Sequence, residues 1–286
     1  METLNRRWSA WWLTPVADGR VHVLRLIAYG FIPVDVLWTT AWVAQHRYVP
    51  GELYRPLLIG RLLPIPTVTA DWVTAVQAAL LVSAALALLA TARRWSAAIP
   101  LGWVVATTYV WWMVIGMSYG KVDHDRFAFI ILLFVLPTVR VVPDGSQRSE
   151  AAGWAIRMVH LGIVVTYALS AWAKVRFGGW DWANGATLAR AVIRRGTELA
   201  DLALQHPDLM RGIQWFTIVF EACSILLLIA KPPWVHAVVA ALVAFHVVTF
   251  LTLGIIFLPH LVALTALLPL ERLLLVGRDQ HLDLAH

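Results

Sequence analysis

The sequence has one cysteine, Cys223, and little charge: only 14% of its 286 residues are Asp, Glu, Lys or Arg. A lone cysteine excludes an internal disulfide and any CxxC chemistry. A soluble domain carries about a quarter charged residues, so the shortage of charge excludes an ordinary water-facing surface. HExxH, a glycine-rich phosphate loop and a carboxylate cluster suited to a metal are also missing, and no metal is expected. Basic residues outnumber acidic ones, 23 to 17, but they lie scattered between apolar runs. Without a basic stripe, nucleic acid is excluded as a partner, and the net charge of +6 suits anionic lipid headgroups instead.

What is present points to a lipid bilayer. Hydrophobic residues make up 60% of the chain, mean hydropathy is +0.70, and 16 tryptophans fit a protein rich in membrane interfaces. The fold expected is all-α, a polytopic integral membrane helical bundle of about eight transmembrane helices with interfacial amphipathic helices. Residues 1–20 read as an interfacial segment, basic at Arg6 and Arg7 and aromatic at Trp8, Trp11 and Trp12. No cleavable signal is apparent, so the first span is expected to target the chain.

Spans are expected at about 21–43, 70–92, 95–117, 127–142, 151–177, 213–230, 233–257 and 261–275. A proline-rich connection follows the first, with Pro50, Pro56, Pro64 and Pro66. The stretch 186–212 mixes Arg190, Arg194, Arg195, Glu198, Asp201 and Asp208 with leucines and alanines, which predicts an amphipathic surface helix. The transmembrane domain thus covers 21–275, and 276–286 form a short tail. An even span number puts both termini on one side. Lysines and arginines divide evenly between the two sides, and the tight hairpins at Arg93-Arg94 and Lys231 place the termini in the cytoplasm.

The chain is organised around Tyr167 to Gly185. An apolar helix there meets Lys174, is stopped by Gly178-Gly179, and gives way to Trp180-Asp-Trp182-Ala-Asn-Gly185. Helical spacing puts Tyr167, Ser170, Ala171 and Lys174 on one face. A lysine at this depth either snorkels to the headgroups beside a tryptophan belt or serves a polar site.

Span parity puts His124, Lys174 and His260 on one side of the bilayer. Asp35, Glu221 and His246 fall within spans, and each ionisable group there costs on the order of 3 kcal/mol unless it finds a partner. Arg25 and Asp35 lie about 15 Å apart along one helix, too far to pair, so each needs a partner on another helix. Asp35 is expected to find an arginine. Glu221 and His246 are expected to face protein, as interhelical hydrogen-bonding groups or as functional ones. His124, flanked by Asp123 and Asp125, fits either a capped turn or a cation ligand. Cys223 is expected to be a small apolar core residue.

The motif Tyr167–Gly185, with Lys174 followed by Trp182-Ala-Asn-Gly185, resembles the core of the vitamin K-dependent gamma-carboxylase membrane domain, known as the horizontally transferred transmembrane (HTTM) domain. Phe245-His246 followed by Gly254-Ile-Ile-Phe resembles a further span of that family. Asp123-His124, Arg25 and Phe220-Glu221 follow its layout, so the resemblance runs from about residue 21 to 275. Where the family core has Ala-Gly, this chain has Ser170-Ala-Trp.

The resemblance implies a lyase using vitamin K hydroquinone or menaquinol, with oxygen and CO2 as co-substrates, in a bacterial inner (plasma) membrane. By the same resemblance Lys174 is the catalytic base that deprotonates the quinol, and His124 assists it. Tyr167, Ser170, Trp182, Glu221, His246, His260 and Arg25 then bind or support. A different class also accommodates these residues: a non-catalytic membrane accessory for maturation or export of a membrane or secreted protein partner, in which polar residues only hold helices together.

Overall fold

The computed structural model describes residues 9–62, 66, 68–120, 122–141 and 147–274. These residues are overwhelmingly helical. Their strands amount to a two-residue antiparallel pairing of Val16–Ala17 with Arg148–Ser149. The proposed tail 276–286 and the first eight residues of the interfacial segment lie outside the described residues. Residues 9–13 are helical, with Trp11 and Trp12 edge-to-face and the Arg157 guanidinium 4.8 Å from the Trp11 ring centre.

The chain divides into two compact units, Met1–Val159 with Leu258–His286, and His160–Phe257. The first unit contains α1 (Asp18–Val34), α2 (Ala70–Ala92), α3 (Ala98–Met117) and α4 (Phe127–Val135). It also holds the start of α5 (Glu150–Gly178), and the boundary falls within that helix. The second unit holds the rest of α5, then α6 (Ala186–Arg195), α7 (Glu198–Leu204), α8 (Pro207–Cys223) and α9 (Pro232–Leu253). The last described helix, α10 (Leu258–Leu264), returns to the first unit.

Six helical segments among the described residues are long and apolar enough to cross a membrane: Asp18–Thr39, Ala70–Ala92, Ala98–Met117, Glu150–Gly178, Pro207–Leu228 and Pro233–Leu253. The other two expected spans are shorter than a crossing. α4 has 9 residues before a 3-10 turn at Leu136–Thr138, and α10 has 7 before one at Thr265–Leu267. At ~1.5 Å per residue, α4 rises about 14 Å, half a bilayer core. Pro137 lacks the amide needed to continue an α-helix. Their apolar side chains serve the protein interior: Phe129, Leu132 and Leu133 of α4 and Ala263 and Leu264 of α10 are buried, and the two helices pack on each other.

In the first unit α1 packs on α2, α2 on α3, and α3 on α4. Leu24, Ala28, Tyr29 and Ile32 form the buried face of α1. α1 carries Pro33 and passes into a π-turn at Asp35–Thr39. The turn exposes the Asp35 carbonyl, which accepts from the Thr40 amide and the Thr40 hydroxyl at 2.7 Å each. Trp112 Nε1 of α3 donates to the same hydroxyl at 2.9 Å. The fully buried Asp35 carboxylate pairs with Arg126 and accepts from the Tyr109 hydroxyl at 2.9 Å. Arg126 is therefore the arginine that Asp35 required. Arg25 satisfies itself differently, donating to the carbonyls of Leu136 (2.7 Å) and Val139 at the end of the α4 turn.

The amphipathic stretch is two short helices, not one. α6 stops at Gly196, and Thr197 docks onto the end of α9 by donating its amide to the Thr252 carbonyl (3.0 Å) and its hydroxyl to that of Leu251 (2.7 Å). α8 then begins at Pro207, six residues earlier than the apolar run suggests, because proline is well placed at a first helical position. Cys223 is exposed at the end of α8 and is not a core residue.

Candidate functional site

The richest polar cluster in the second unit grows from the helical face of Tyr167, Ser170 and Lys174. Lys174 Nζ donates to Glu221 Oε2 at 2.6 Å, to Glu221 Oε1 at 2.9 Å and to Ser170 Oγ at 2.7 Å. Ser170 in turn donates to Glu221 Oε1 at 3.3 Å. One turn earlier, Tyr167 Oη and His246 Nε2 share a hydrogen bond of 2.6 Å, and the His246 ring lies 4.6 Å from that of Phe257. Glu221 and His246 are both buried, as their cost in lipid demands. The side chains of Lys174 and Glu221 are 18% and 8% exposed, so the pair is shielded without being sealed.

The loop after α5 closes over this cluster. α5 ends at Gly178, and Gly179 (φ 65°) and Gly185 (φ 98°) adopt left-handed turns that other residues resist. The 3-10 turn Trp180–Ala183 brings the Trp182 ring to 5.4 Å from Lys174 Nζ, within cation–π range. Gln214 of α8, buried at 2% exposure, fixes the loop by both ends of its amide. Its Nε2 donates to the Trp182 carbonyl at 2.6 Å, and its Oε1 accepts from the Gly185 amide at 2.7 Å. Gln214 was missed in the sequence because a neutral amide raises no alarm about burial. The only available clue is its place in α8 two turns before Glu221.

Beside the cluster lies a cavity of about 470 Å³, within the range that accepts a small-molecule ligand. Lys174, Trp182 and Gln214 form its polar end, and α8 and α9 contribute apolar walls with a row of threonines. Phe216 and Val248 line it while also being exposed on the outer surface, so the cavity opens sideways onto an apolar face. Four exposed aromatic rings lie on the segments that carry the cluster: Trp172 against Phe177 at 6.0 Å, and Trp180 stacked on Trp215 at 5.8 Å. Arg190, Arg194 and Arg195 of α6 are exposed.

The structure thus brings together Lys174, Ser170, Glu221 and Trp182, with Tyr167 and His246 one turn away. The remaining expected residues belong to the first unit. His124 is exposed in the 3-10 turn His124–Arg126, His260 is buried in α10, and Arg25 caps the α4 turn. Burial pushes the neighbouring Asp125 carboxyl above its ordinary range. Among the described residues no three His, Cys, Asp or Glu side chains gather as a metal site. The arrangement in the second unit can hold and move a proton between an amine and a carboxylate at the end of an apolar pocket. Comparison of the chain with protein-family models, curated proteins and solved structures finds no match.

Proposed function

We propose that this is a multi-pass protein of the plasma (inner) membrane, both termini cytoplasmic, that binds a lipid quinol of the vitamin K or menaquinol type and uses Lys174 as its base. The observation that carries the reading is that Lys174, hydrogen-bonded to Glu221, stands at the polar end of an apolar cavity open to an exposed apolar face. The cavity fits such a group: its volume suits a ring system, its walls are apolar, and its mouth faces where an isoprenoid tail would lie. A bound quinol supplies an acidic hydroxyl and, by resemblance to the HTTM carboxylases, reducing power toward oxygen with CO2 as a further co-substrate.

The residues act in a definite order. Glu221 takes a proton from the Lys174 ammonium across their 2.6 Å hydrogen bond, leaving a neutral amine and a carboxylic acid. Lys174 then accepts the hydroxyl proton of the bound ligand and becomes an ammonium again, so the pair gains one proton. Ser170 orients Nζ, and the Trp182 ring covers it at 5.4 Å, within cation–π range. His124 is not needed for this arrangement, which is built from the second unit alone.

The test has two parts. Lipid extracted with the purified protein should contain menaquinone, and the protein should oxidise a quinol under oxygen in a manner lost in Lys174→Arg. Absence of both would overturn the reading. A second reading is favoured by one observation: the Lys174–Glu221 pair ties α5 to α8 and gives each charged group a partner within the protein. On that reading the bundle is a non-catalytic accessory to a membrane or secreted protein, and Lys174→Arg would keep full function in cells.

A further inference from the structure

We infer that Glu221 sets the headgroup selectivity of the Lys174 cavity, which takes uncharged lipids with a hydroxyl donor and rejects acidic ones. The inference rests on the reading that the cavity holds a lipid, and it adds which headgroup chemistry is admitted and which residue decides.

A lysine at the end of an apolar cavity would ordinarily hold the commonest acidic amphiphile of a membrane, a fatty acid, by a charge-assisted hydrogen bond. Here that outlet is closed. An ammonium has three N–H groups, and Lys174 directs its donors to Ser170 Oγ and to both oxygens of Glu221. Glu221 does not line the cavity, and Lys174 does. The cationic charge is therefore neutralised from behind, by a carboxylate that already holds the ammonium before an anion could enter. A carboxylate placed there would lose its water, compete with Glu221 for Nζ, and face the Glu221 charge across a poorly screened gap.

The threonine row points the same way. Thr217, Thr249 and Thr252 line the cavity, and each hydroxyl donates to its own helix, to the carbonyls of Ile213 (2.8 Å), Phe245 (2.8 Å) and Val248 (2.7 Å). Their remaining capacity is as acceptors. Gln214 has committed its carbonyl oxygen to Gly185 and its amide nitrogen to Trp182. These three hydroxyls thus present acceptors to the cavity, and their complement is an uncharged lipid that donates a hydrogen bond.

Three ligands with one chain and different headgroups test this on the full-length protein in detergent: oleyl alcohol, its methyl ether, and oleate at a pH well above the carboxyl range. Equilibrium binding of radiolabelled ligand should rank alcohol over ether over oleate, with the alcohol at least about tenfold tighter than oleate. Glu221→Gln, which uncovers the ammonium, should invert the order of alcohol and oleate. The wild-type ranking decides the matter even if that variant does not fold. Oleate binding as tightly as the alcohol overturns the selectivity rule alone, and menaquinone in the extract would still support the quinol reading. Failure of all three ligands to bind overturns the rule together with the lipid-cavity reading.

Discussion

Ser170 and Lys174, one helical turn apart on α5, converge on the same Glu221 oxygen, at 3.3 and 2.9 Å. A single carboxylate on α8 therefore organises a hydroxyl and an amine that the helix already aligns. The geometry separates two roles of Lys174, which are holding α5 to α8 and exchanging protons.

Substitution of Lys174 should separate those roles. Lys174→Arg keeps a cation beside Glu221 and should retain most of the melting temperature in detergent, while quinol oxidation falls to background because a guanidinium stays protonated. Lys174→Ala should lose both, since it leaves a shielded carboxylate without its cation, a change of about 3 kcal/mol or more for a buried pair. Equal stability of the two variants, or full activity of Lys174→Arg, would contradict this division.

Gln214→Ala should loosen the loop without touching the ion pair. Two buried groups, the Gly185 amide and the Trp182 carbonyl, would lose partners at about 1–3 kcal/mol each. Binding of a quinol analogue should weaken by about tenfold or more, and limited proteolysis should begin to cut between residues 178 and 186. An unchanged digestion pattern would show that Gln214 does not hold the loop.

Asp35→Asn leaves the buried Arg126 with only the more distant Asp125 carboxylate, 3.7 Å from Nε, in a setting where the Asp35 and Arg126 side chains are 0% and 6% exposed. Breaking one half of such a pair costs roughly 3–5 kcal/mol. The variant should express poorly or melt well below the wild type. Asp35→Asn with Arg126→Met should recover part of the loss. A single variant as stable as the wild type would show that the pair is not required.

Arg20 grips both oxygens of Glu271, Nε to Oε2 at 2.8 Å and Nη2 to Oε1 at 2.7 Å. Burial alone would raise this carboxyl, but the Arg20 hydrogen bonds and charge outweigh it and hold Glu271 below its ordinary 4.5. A depressed carboxylate contributes stability that is complete above its unfolded-state value and lost as pH falls through the lower folded one. Wild type should therefore melt above Glu271→Gln at neutral pH, by an amount near 1 kcal/mol for a pair this exposed. The gap should close as pH falls through the lowered range in which the folded-state carboxylate takes up its proton. A gap that persists in acid would rule out the carboxylate as its source.

Much of this site could be read from residue order, because the helical period that aligns Tyr167, Ser170 and Lys174 is local. Glu221 and His246 stood out through the cost of burying them, but their partners lie 47 and 79 residues away, beyond any periodic pattern. The shortness of α4 and α10 is hidden from the sequence for a related reason. Hydropathy scores an apolar side chain alike whether it meets lipid or protein, and Phe129, Leu132 and Leu264 meet protein. The break at Gly196 and the early start at Pro207 depend on how Thr197 docks onto α9, which is a tertiary fact.

In a bilayer the exposed rings of Trp172, Phe177, Trp180 and Trp215 would mark a waterline on the second unit, since indoles settle where headgroups meet acyl chains. Lys174 shares its cavity with the exposed Phe216 and Val248 of the apolar wall. A guest could slide in from the leaflet with its head still near the surface, never carrying a polar group to the midplane. The depth at which the protein floats would then govern how readily the cavity fills, and thickening the surrounding bilayer would be felt at Lys174 without any change in its bonds.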